Sequence, residues 1–216
     1  MPTLLMRMRS PMMSWGDHSR FTIRDTRREP TKSAVIGLLC AALGRPRWEP
    51  VADLSALKMG VRINQEGVVQ KDYHTVMDGI KSGGGKGGTV ISHRYYVADG
   101  DYLVGLESQD QALLDSLDNA LLAPVWQLYL GRKSFIPSCP VRIGLYDLPL
   151  IEALEHKLQR SQASINKLPQ QLRCVVEVPN SLDVRQDVPI DWQKRFFGSR
   201  CVESSFLDKN QCFSPS

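Results

Sequence analysis

Apolar and polar residues alternate at the start of the chain, and this period of two predicts a β-strand over residues 4–9 with one solvated face. After a long connection the pattern changes to the helical period. Pro30 and Thr31 open a helix whose apolar residues recur on one side, and Gly44 and Pro46 end it. The first two elements are therefore a strand and a helix with a buried stripe.

The same two periods continue to residue 130. Four more strands are predicted over residues 60–64, 68–73, 89–97 and 102–106. A second helix is predicted over 109–122 and a short strand over 125–130, while the Gly-rich residues 79–88 form a projecting loop. The core order β-α-β-β-α-β with an inserted β-hairpin predicts an α+β fold of the ferredoxin-like (RRM-like) type, with two helices on one face of an antiparallel sheet.

Beyond residue 130 the pattern is less regular. The predicted elements are a strand near 141–145, a short helix near 148–158 and a strand over 174–178. A polar tail with frayed last residues follows. We expect residues 1–140 to form the core, with the inserted hairpin at about 75–95, and residues 141–216 to form a C-terminal extension packed on it.

Charge is unevenly distributed along the 216 residues, although the net charge is only +4. Residues 1–100 hold 15 Lys and Arg against 9 Asp and Glu, a balance of +6, whereas residues 101–216 hold 12 against 14, a balance of −2. The basic surface should therefore lie in the first half of the chain. Nucleic acid is the natural polyanionic partner of such a surface.

The five cysteines are widely spaced and include no Cys-x-x-Cys pair, which indicates reduced thiols rather than disulfides or a zinc site. Arginines interrupt the only apolar stretch near the N-terminus, so a signal peptide is not expected, and no apolar run reaches membrane-spanning length. We expect a soluble cytoplasmic protein without membrane contact, metal or cofactor.

A basic arm leads into the first helix. Its cations are Arg20, Arg24, Arg27 and Arg28. Lys32 then lies in the first helical turn, where an exposed cation opposes the helix dipole by roughly 0.3 to 1 kcal/mol. A bound phosphate would remove this cost, because the unpaired N–H groups of a helix start bind anions. The alternative is plain capping by the hydroxyl of Thr31 or Ser33.

Glycines mark two further positions. Gly37 in the middle of the first helix, with Ala41 one turn later, suggests that another backbone approaches that face. The Gly-rich stretch 81–89 lacks the spacing of a phosphate-binding P-loop. With Lys81 and Lys86 near its tip, it is either a basic finger that contacts a nucleic-acid backbone or a flexible linker.

Aromatic and imidazole side chains accompany the basic segments. The candidate residues are Trp15, Tyr73, His74 and His93, with Arg94 beside them. Rings interleaved with cations suit single-stranded RNA, although a Tyr on a strand is more often half-buried packing. The turn at 129–134 adds Arg132, Lys133 and Ser134 after a glycine, which is either a phosphate contact or a solvated loop.

Catalytic motifs are absent from the sequence around its four histidines: none has metal-binding spacing, and no nucleophile or paired-carboxylate motif stands nearby. A metal-independent ribonuclease needs a general base and a general acid, which Tyr73, His74 and Lys81 could supply. Whether these three side chains converge cannot be read from spacing.

Four blocks together resemble the CasD family of CRISPR Cascade subunits, of the Cas-five-e type. They cover residues 5–16, 30–39, 72–76 and 129–134, and they occur in the family's order. The resemblance implies a non-catalytic RNA-binding scaffold subunit with a ferredoxin-like core and a hairpin thumb. Such a subunit grips the 5′ handle of the crRNA and caps the backbone filament of CasC-type subunits beside a CasA-type large subunit, so that target DNA is contacted only indirectly.

Carried onto this chain, the resemblance implies a handle pocket formed from the segments already singled out. These are Trp15 with the basic loop after it, residues 30–33, Tyr73 with His74, and Arg132, Lys133 and Ser134. The stretch 81–89 would belong to the thumb. A separate CasE-type nuclease would cut the precursor RNA. The competing hypotheses are an endoribonuclease that processes precursor crRNA and a protein-interaction domain whose basic face meets an acidic partner.

Overall fold

The structure is a computed structural model that describes residues 1–16, 22–77, 79–80, 83–85 and 87–215. Its strands are β1 (Thr3–Arg9), β2 (Met12–Met13), β3 (Ile23–Arg24), β4 (Lys58–Gln65), β5 (Val68–Val76), β6 (Val90–Ala98), β7 (Asp101–Glu107), β8 (Arg142–Tyr146), β9 (Leu158–Arg160), β10 (Gln171–Val178), β11 (Asp183–Asp191), β12 (Phe196–Asp208) and β13 (Phe213–Pro215). Its helices are α1 (Lys32–Leu43), α2 (Ala52–Ser55), α3 (Gln111–Leu122), α4 (Leu150–Leu154), α5 (Gln162–Asn166) and α6 (Lys209–Cys212). The predicted α+β class is confirmed.

A seven-stranded sheet organises the fold, in the order β11-β12-β10-β4-β7-β1-β8, and every pair in it is antiparallel. Within it β1, α1, β4, β7, α3 and β8 follow the expected β-α-β-β-α-β order. The β5–β6 hairpin is inserted between β4 and β7 and spans residues 68–98, so it is longer than the insertion predicted at about 75–95.

The fourth core strand is β8, and the prediction of a strand over 125–130 is wrong. The Val125 N–H donates to the Ala42 carbonyl at 2.9 Å, and the Trp126 N–H donates to the Ala41 carbonyl at 3.1 Å. These carbonyls belong to the last turn of α1, where the helix supplies no further i+4 donors, and the Ala41 carbonyl also accepts from the Gly44 N–H at 3.3 Å. The segment therefore completes the end of α1 instead of joining the sheet.

The main core lies between the sheet and helices α1 and α3. Leu4, Met6 and Met8 alternate along β1 and point to this side, where Leu39 of α1 and Leu117 of α3 are also buried. The apolar residues that show the period of two in β1 and the helical period in α1 and α3 thus pack together in one layer.

The opposite face of the sheet is covered by the C-terminal extension. A Cβ atom added to Gly60 would lie 2.8 Å from Leu154 Cδ1, and one added to Gly105 would lie 2.7 Å from Leu150 Cδ1. Helix α4 therefore presses directly on the strand backbones. RRM domains read single-stranded RNA with aromatic side chains on this face, and here α4 occupies that position.

The C-terminal residues are integrated into the fold. Strands β10 to β12 extend the sheet from β4, and β13 pairs with β9 in parallel, Phe213 opposite Leu158. Phe213 is buried, so the expectation of a frayed end is wrong for the described residues. Strands from before and after residue 140, where the domain boundary was expected, belong to one sheet. β8 and β10 follow this boundary in the chain, and they flank the β4, β7 and β1 strands on opposite sides.

No helix among the described residues is both long enough and apolar enough to cross a membrane.

Candidate nucleic-acid interface

Carboxylates of the protein itself occupy the start of α1. The Thr31 hydroxyl caps the helix by accepting from the Ala34 N–H at 3.4 Å. The Lys32 N–H donates to Asp187 Oδ2 at 2.8 Å, and Lys32 Nζ donates to Glu177 Oε1 and Oε2 at 3.1 and 3.0 Å. Lys32 is only 1% exposed. The negative charge expected at the start of this helix is therefore supplied by Asp187 and Glu177 of the chain itself.

These contacts correct the expectation of a phosphate at Lys32. Arg200 donates to both oxygens of Asp187 at 2.7 and 2.9 Å, so the network is closed by a second cation. Burial lowers the pKa of Lys32, although Glu177 acts in the opposite direction. Burial acts to raise the pKa of Asp187, but the hydrogen bonds from Arg200 and from the Lys32 N–H outweigh it and leave that pKa below its usual value.

Trp15 is a core residue. Its side chain is 1% exposed, and its ring meets the Tyr102 ring edge-on with the centroids 6.0 Å apart. A base cannot stack on this ring in the observed conformation, which corrects the expectation for Trp15. Thr31 is buried as well and acts as the helix cap.

The end of the basic arm is tied to the core. The Arg27 N–H donates to the Trp15 carbonyl at 2.9 Å, and the Arg28 side chain is exposed beside it. Glu29 is buried and pairs with two arginines of the C-terminal extension at 3.0 and 3.1 Å. Part of the positive charge around this arm is therefore compensated by Glu29.

Arg24, Arg94 and Arg132 form a surface beside the middle of the β5–β6 hairpin that we call the cation face. Arg24 on β3 is the register partner of Arg94 on β6. Arg132 Nη2 donates to the Tyr95 carbonyl at 2.6 Å, which holds the guanidinium against the hairpin. Burial lowers the pKa of Arg132, and the neighbouring charges of Arg94 and Arg24 lower it further, whereas Asp72 acts in the opposite direction. Three predicted cations thus lie together beside Asp72, so the cations outnumber this carboxylate and an added anion would relieve their repulsion.

Tyr73 and His93 lie on the other side of the same hairpin. They are register partners, and their ring centroids are 5.6 Å apart. Side chains alternate along a strand, so His74 lies on the side of Arg94, with its Nδ1 3.7 Å from Asp72 Oδ2. The Tyr73 and His93 rings therefore lie on one side of the hairpin, and the cation face lies on the other.

The loop 129–135 connects the cation face to the body of the protein. Gly131 has φ +91°, and a Cβ atom there would lie 1.8 Å from the Ser14 carbonyl oxygen, so no other residue fits. The Ser14 N–H also donates to the Leu130 carbonyl at 3.1 Å. This docking sends Arg132 to the hairpin and leaves Lys133 and Ser134 exposed.

A groove of about 680 Å³ runs over α1 on the other side of that loop. We call it the α1 groove. Ser33, Gly37 and Lys133 line it, so two predicted contact residues lie there. Its aromatic side chains are Trp126, Tyr129, Trp192 and Phe197. A Cβ atom at Gly37 would have no described atom within 4 Å. The expectation that a backbone packs on Gly37 is wrong, because this face of α1 is the open floor of the groove.

The cations of the α1 groove differ in their pairing. Arg45 donates to Asp53 at 2.7 and 2.9 Å. Arg47 and Lys133 are exposed and have no ion-pair partner among the described residues. The groove therefore offers rings for stacking beside two uncompensated positive charges, which are the elements that bind single-stranded nucleic acid.

Several groove residues were not predicted. Trp126 and Tyr129 belong to the segment that was taken for a core strand, and Trp192 and Phe197 belong to the part taken for a polar tail. The available signal was the presence of a tryptophan in each of these two segments. It does not reveal proximity, since residues 126 and 192 meet only in the folded chain.

Arg20, Lys81 and Lys86 lie outside the described residues. In the part of the chain that the structure describes, no three His, Cys, Asp or Glu side chains are grouped as a metal site.

Comparison with known proteins identifies the family of the chain. A model of the family described as CRISPR-associated protein (Cas_Cas5) matches residues 3–203. The CRISPR system Cascade subunit CasD of Escherichia coli (strain K12) is 32% identical over 165 residues, which are 66% of this chain and 69% of that protein.

Solved structures are similar over nearly the whole chain. A crystal structure of a Cas protein superposes with a TM-score of 0.80 and 39% identity, covering 99% of this chain and 100% of that chain. A chain of a CRISPR RNA-guided surveillance complex superposes with a TM-score of 0.82 and 27% identity, covering 99% and 94%.

Proposed function

Because this chain belongs to the CRISPR-associated Cas5 family, we propose that it is a non-catalytic RNA-binding subunit of a Cascade surveillance complex. It grips the 5′ handle of the crRNA and caps one end of a filament of CasC-type backbone subunits, beside a CasA-type large subunit. Target DNA is reached through that assembly. The likeness to the E. coli CasD subunit and to a chain of a surveillance complex supports this proposal.

The observation that carries the RNA-binding role is the junction at loop 129–135. Arg132 of this loop completes the cation face, and Lys133, the next residue, lines the α1 groove. A strand of RNA can therefore keep its phosphates on the cation face while a base enters the groove. Splayed bases and separately held phosphates are typical of single-stranded RNA recognition.

Stacking in the α1 groove supplies the second part of the grip. Trp126 is exposed, and Trp192 meets Phe197 edge-on with the centroids 5.9 Å apart. Each base stacked on an aromatic side chain contributes about 1 to 3 kcal/mol. RNA bases have access to these rings, whereas the sheet face that RRM domains use is closed by α4.

The cation face is tested with Arg24→Ala and Arg94→Ala in one variant, measured by equilibrium binding of handle RNA over a salt series. Two lost phosphate contacts should reduce the slope of log K against log salt by about 1.4, at about 0.7 per contact for single strands. Lys157→Ala removes an exposed cation from the C-terminal extension and serves as the control. An unchanged slope in the double variant would contradict the proposal.

The α1 groove is tested with Gly37→Met and Gly37→Ala. Neither residue clashes at its Cβ position, and each should stabilise α1 by up to about 1 kcal/mol because glycine is a poor helix former. The long Met side chain fills the groove and should weaken handle RNA binding at least tenfold, whereas Ala leaves most of the groove open. Equal affinity of the two variants and the wild type would show that no base enters.

The place in the assembly is tested by copurification. We expect the tagged chain, expressed with its neighbouring subunits, to recover large and backbone subunits together with RNA of uniform 5′ end. Recovery of an acidic protein without RNA would favour the protein-interaction hypothesis instead.

A further inference from the structure

A second cavity, of about 880 Å³, shares no lining residue with the α1 groove. The ends of β1, β4, β10 and β12 form one side of it, and β9 and the α5 region of the C-terminal extension form the other. We call it the extension pocket. Its volume lies within the roughly 300 to 1,000 Å³ of pockets that hold small ligands.

The lining of the extension pocket is strongly positive. Its cations are Arg7, Arg9, Arg160, Lys167 and Arg173, against the single carboxylate of Glu66. Arg7 is paired with Asp101 at 2.7 Å and Arg173 with Glu66 at 3.0 Å. Arg9 and Lys167 are exposed and have no ion-pair partner among the described residues. Two positive charges of this pocket are therefore uncompensated.

Arg160 adds a buried cation whose donors are incompletely used. Its side chain is 9% exposed, and Nη2 donates to Gln65 Oε1 at 2.9 Å and lies 3.6 Å from Asp101 Oδ2, the carboxylate that also pairs with Arg7. Its Nη1 is buried and has no hydrogen-bond acceptor among the described residues. A buried donor without an acceptor is costly. Burial lowers the pKa of this guanidinium, and Arg9 and Arg7 act in the same direction against Asp101. An anion entering the pocket would relieve this surplus of charge.

The uncharged part of the lining is suited to a base. Phe206 is 61% exposed and lies beside the cations. Gln159 and Gln171 are exposed, and their amides make no hydrogen bond among the described residues. A ring for stacking, free amides for a base edge and cations for a phosphate are the groups that recognise one nucleotide.

We propose that the extension pocket is a second nucleotide-binding site, which takes one phosphate-bearing nucleotide unit. The unit comes either from an RNA strand or from a free mononucleotide. Arg9 and Lys167 attract the phosphate, and Phe206 stacks on the base. The site is independent of the proposed grip on the handle, because it uses none of the residues of the cation face or the α1 groove.

The test compares two double variants of the full chain that remove equal charge. Arg9→Ala with Lys167→Ala acts on the extension pocket, and Arg47→Ala with Lys133→Ala acts on the α1 groove. All four side chains are exposed and without ion pairs among the described residues, so both variants should fold normally. The four ribonucleoside monophosphates are titrated by calorimetry, and a single-stranded RNA oligonucleotide is titrated over a salt series.

If the nucleotide is free, the extension-pocket variant should lose at least tenfold affinity for a monophosphate that the groove variant still binds. If it belongs to an RNA strand, the extension-pocket variant should lower the salt slope by about 1.4, and Phe206→Ala should weaken RNA binding further. The proposal is overturned if the extension-pocket variant matches the wild type in both titrations. It is also overturned if this variant and the groove variant bind a monophosphate equally well and the salt slope of RNA binding is unchanged. A groove variant with normal RNA binding would count against the proposed handle grip alone.

Discussion

Asp187 contacts three donors from two distant parts of the chain. Its oxygens accept the Lys32 N–H at 2.8 Å and two guanidinium N–H groups of Arg200 at 2.7 and 2.9 Å. Glu177 completes the network at Lys32 Nζ. Since all four side chains are buried or partly buried, each charge depends on the others for compensation.

Removal of the Asp187 charge should destabilise the protein strongly. Asp187→Asn keeps the shape of the side chain but leaves Arg200 without its buried partner. Breaking one partner of a buried pair costs about 3 to 5 kcal/mol. We expect a loss of that size in the free energy of unfolding, measured by urea denaturation.

Asp53→Asn is the matched control for that measurement. Asp53 also pairs with an arginine, Arg45 at 2.7 Å, but on the exposed surface. Exposed pairs contribute about 0 to 1 kcal/mol. If both variants lost the same stability, the network at α1 would have no special role.

Stability should fall in acid because of Asp187. The pKa of Asp187 in the folded chain is below its unfolded value, so its contribution is present above the unfolded pKa of about 4 and is lost as the pH falls through the folded pKa. The difference in unfolding free energy between wild type and Asp187→Asn should therefore narrow as the pH is lowered below about 4. Urea denaturation at a series of pH values measures it, and a difference independent of pH would refute the assignment.

At the scale of elements, the C-terminal segment is held by a few buried groups. Phe213 on β13 is 4% exposed, and its ring lies 5.5 Å from the Arg62 guanidinium carbon. Arg62 is itself buried and donates to the Leu154 and His156 carbonyls at 2.6 and 2.9 Å. The end of the chain therefore belongs to the apolar cluster between the sheet and the C-terminal extension.

Phe213→Ala should cost about 3 to 5 kcal/mol, because it removes a large buried ring and leaves a cavity. Thermal and urea unfolding of the full chain measure the effect. Phe206→Ala changes an exposed phenylalanine of β12, the strand that precedes β13 in the chain, and should leave stability nearly unchanged. Similar small effects of both substitutions would mean that the last strand is loosely attached.

Elements with a clear period were predicted from the sequence. Helices α1 and α3 were expected at 30–43 and 109–122, and strands β4, β5, β6 and β7 lie within a few residues of their predicted positions. Their pairing does not follow chain order, because β5 pairs with β6 and β4 pairs with β7. The short segments were not predicted. Val125 and Trp126 have β-forming side chains, but their N–H groups pair with the end of α1. A contact between distant parts of the chain decided that conformation.

At the scale of the whole molecule, the insertion and the extension determine which surfaces are open. The hairpin supplies Arg94 of the cation face and positions Arg24 and Arg132 against it, and α4 closes the sheet face opposite α1 and α3. Residues from 14 to 197 line the α1 groove. The candidate interface is consequently built beside the β-α-β-β-α-β core rather than on its sheet.

This arrangement also bears on catalysis. Tyr73 and His74 are neighbours on β5 and point to opposite sides of the hairpin, so they cannot act together on one phosphate in the observed conformation. We expect the purified chain to leave repeat RNA intact without metal, by gel analysis, and His74→Ala to behave as the wild type. Specific cleavage that disappears in His74→Ala would support the endoribonuclease hypothesis.

The sequence by itself determined the α+β class, the two long helices, the inserted hairpin and the need for negative charge at the start of α1. These depend on local periodicity and on the electrostatics of a helix end, which act over a few residues. Only the tertiary structure decided that Asp187 and Glu177 supply that charge, that Trp15 is buried, and that Trp126 and Trp192 share a groove. Such contacts join residues far apart in the chain, and their partners follow from how the layers pack.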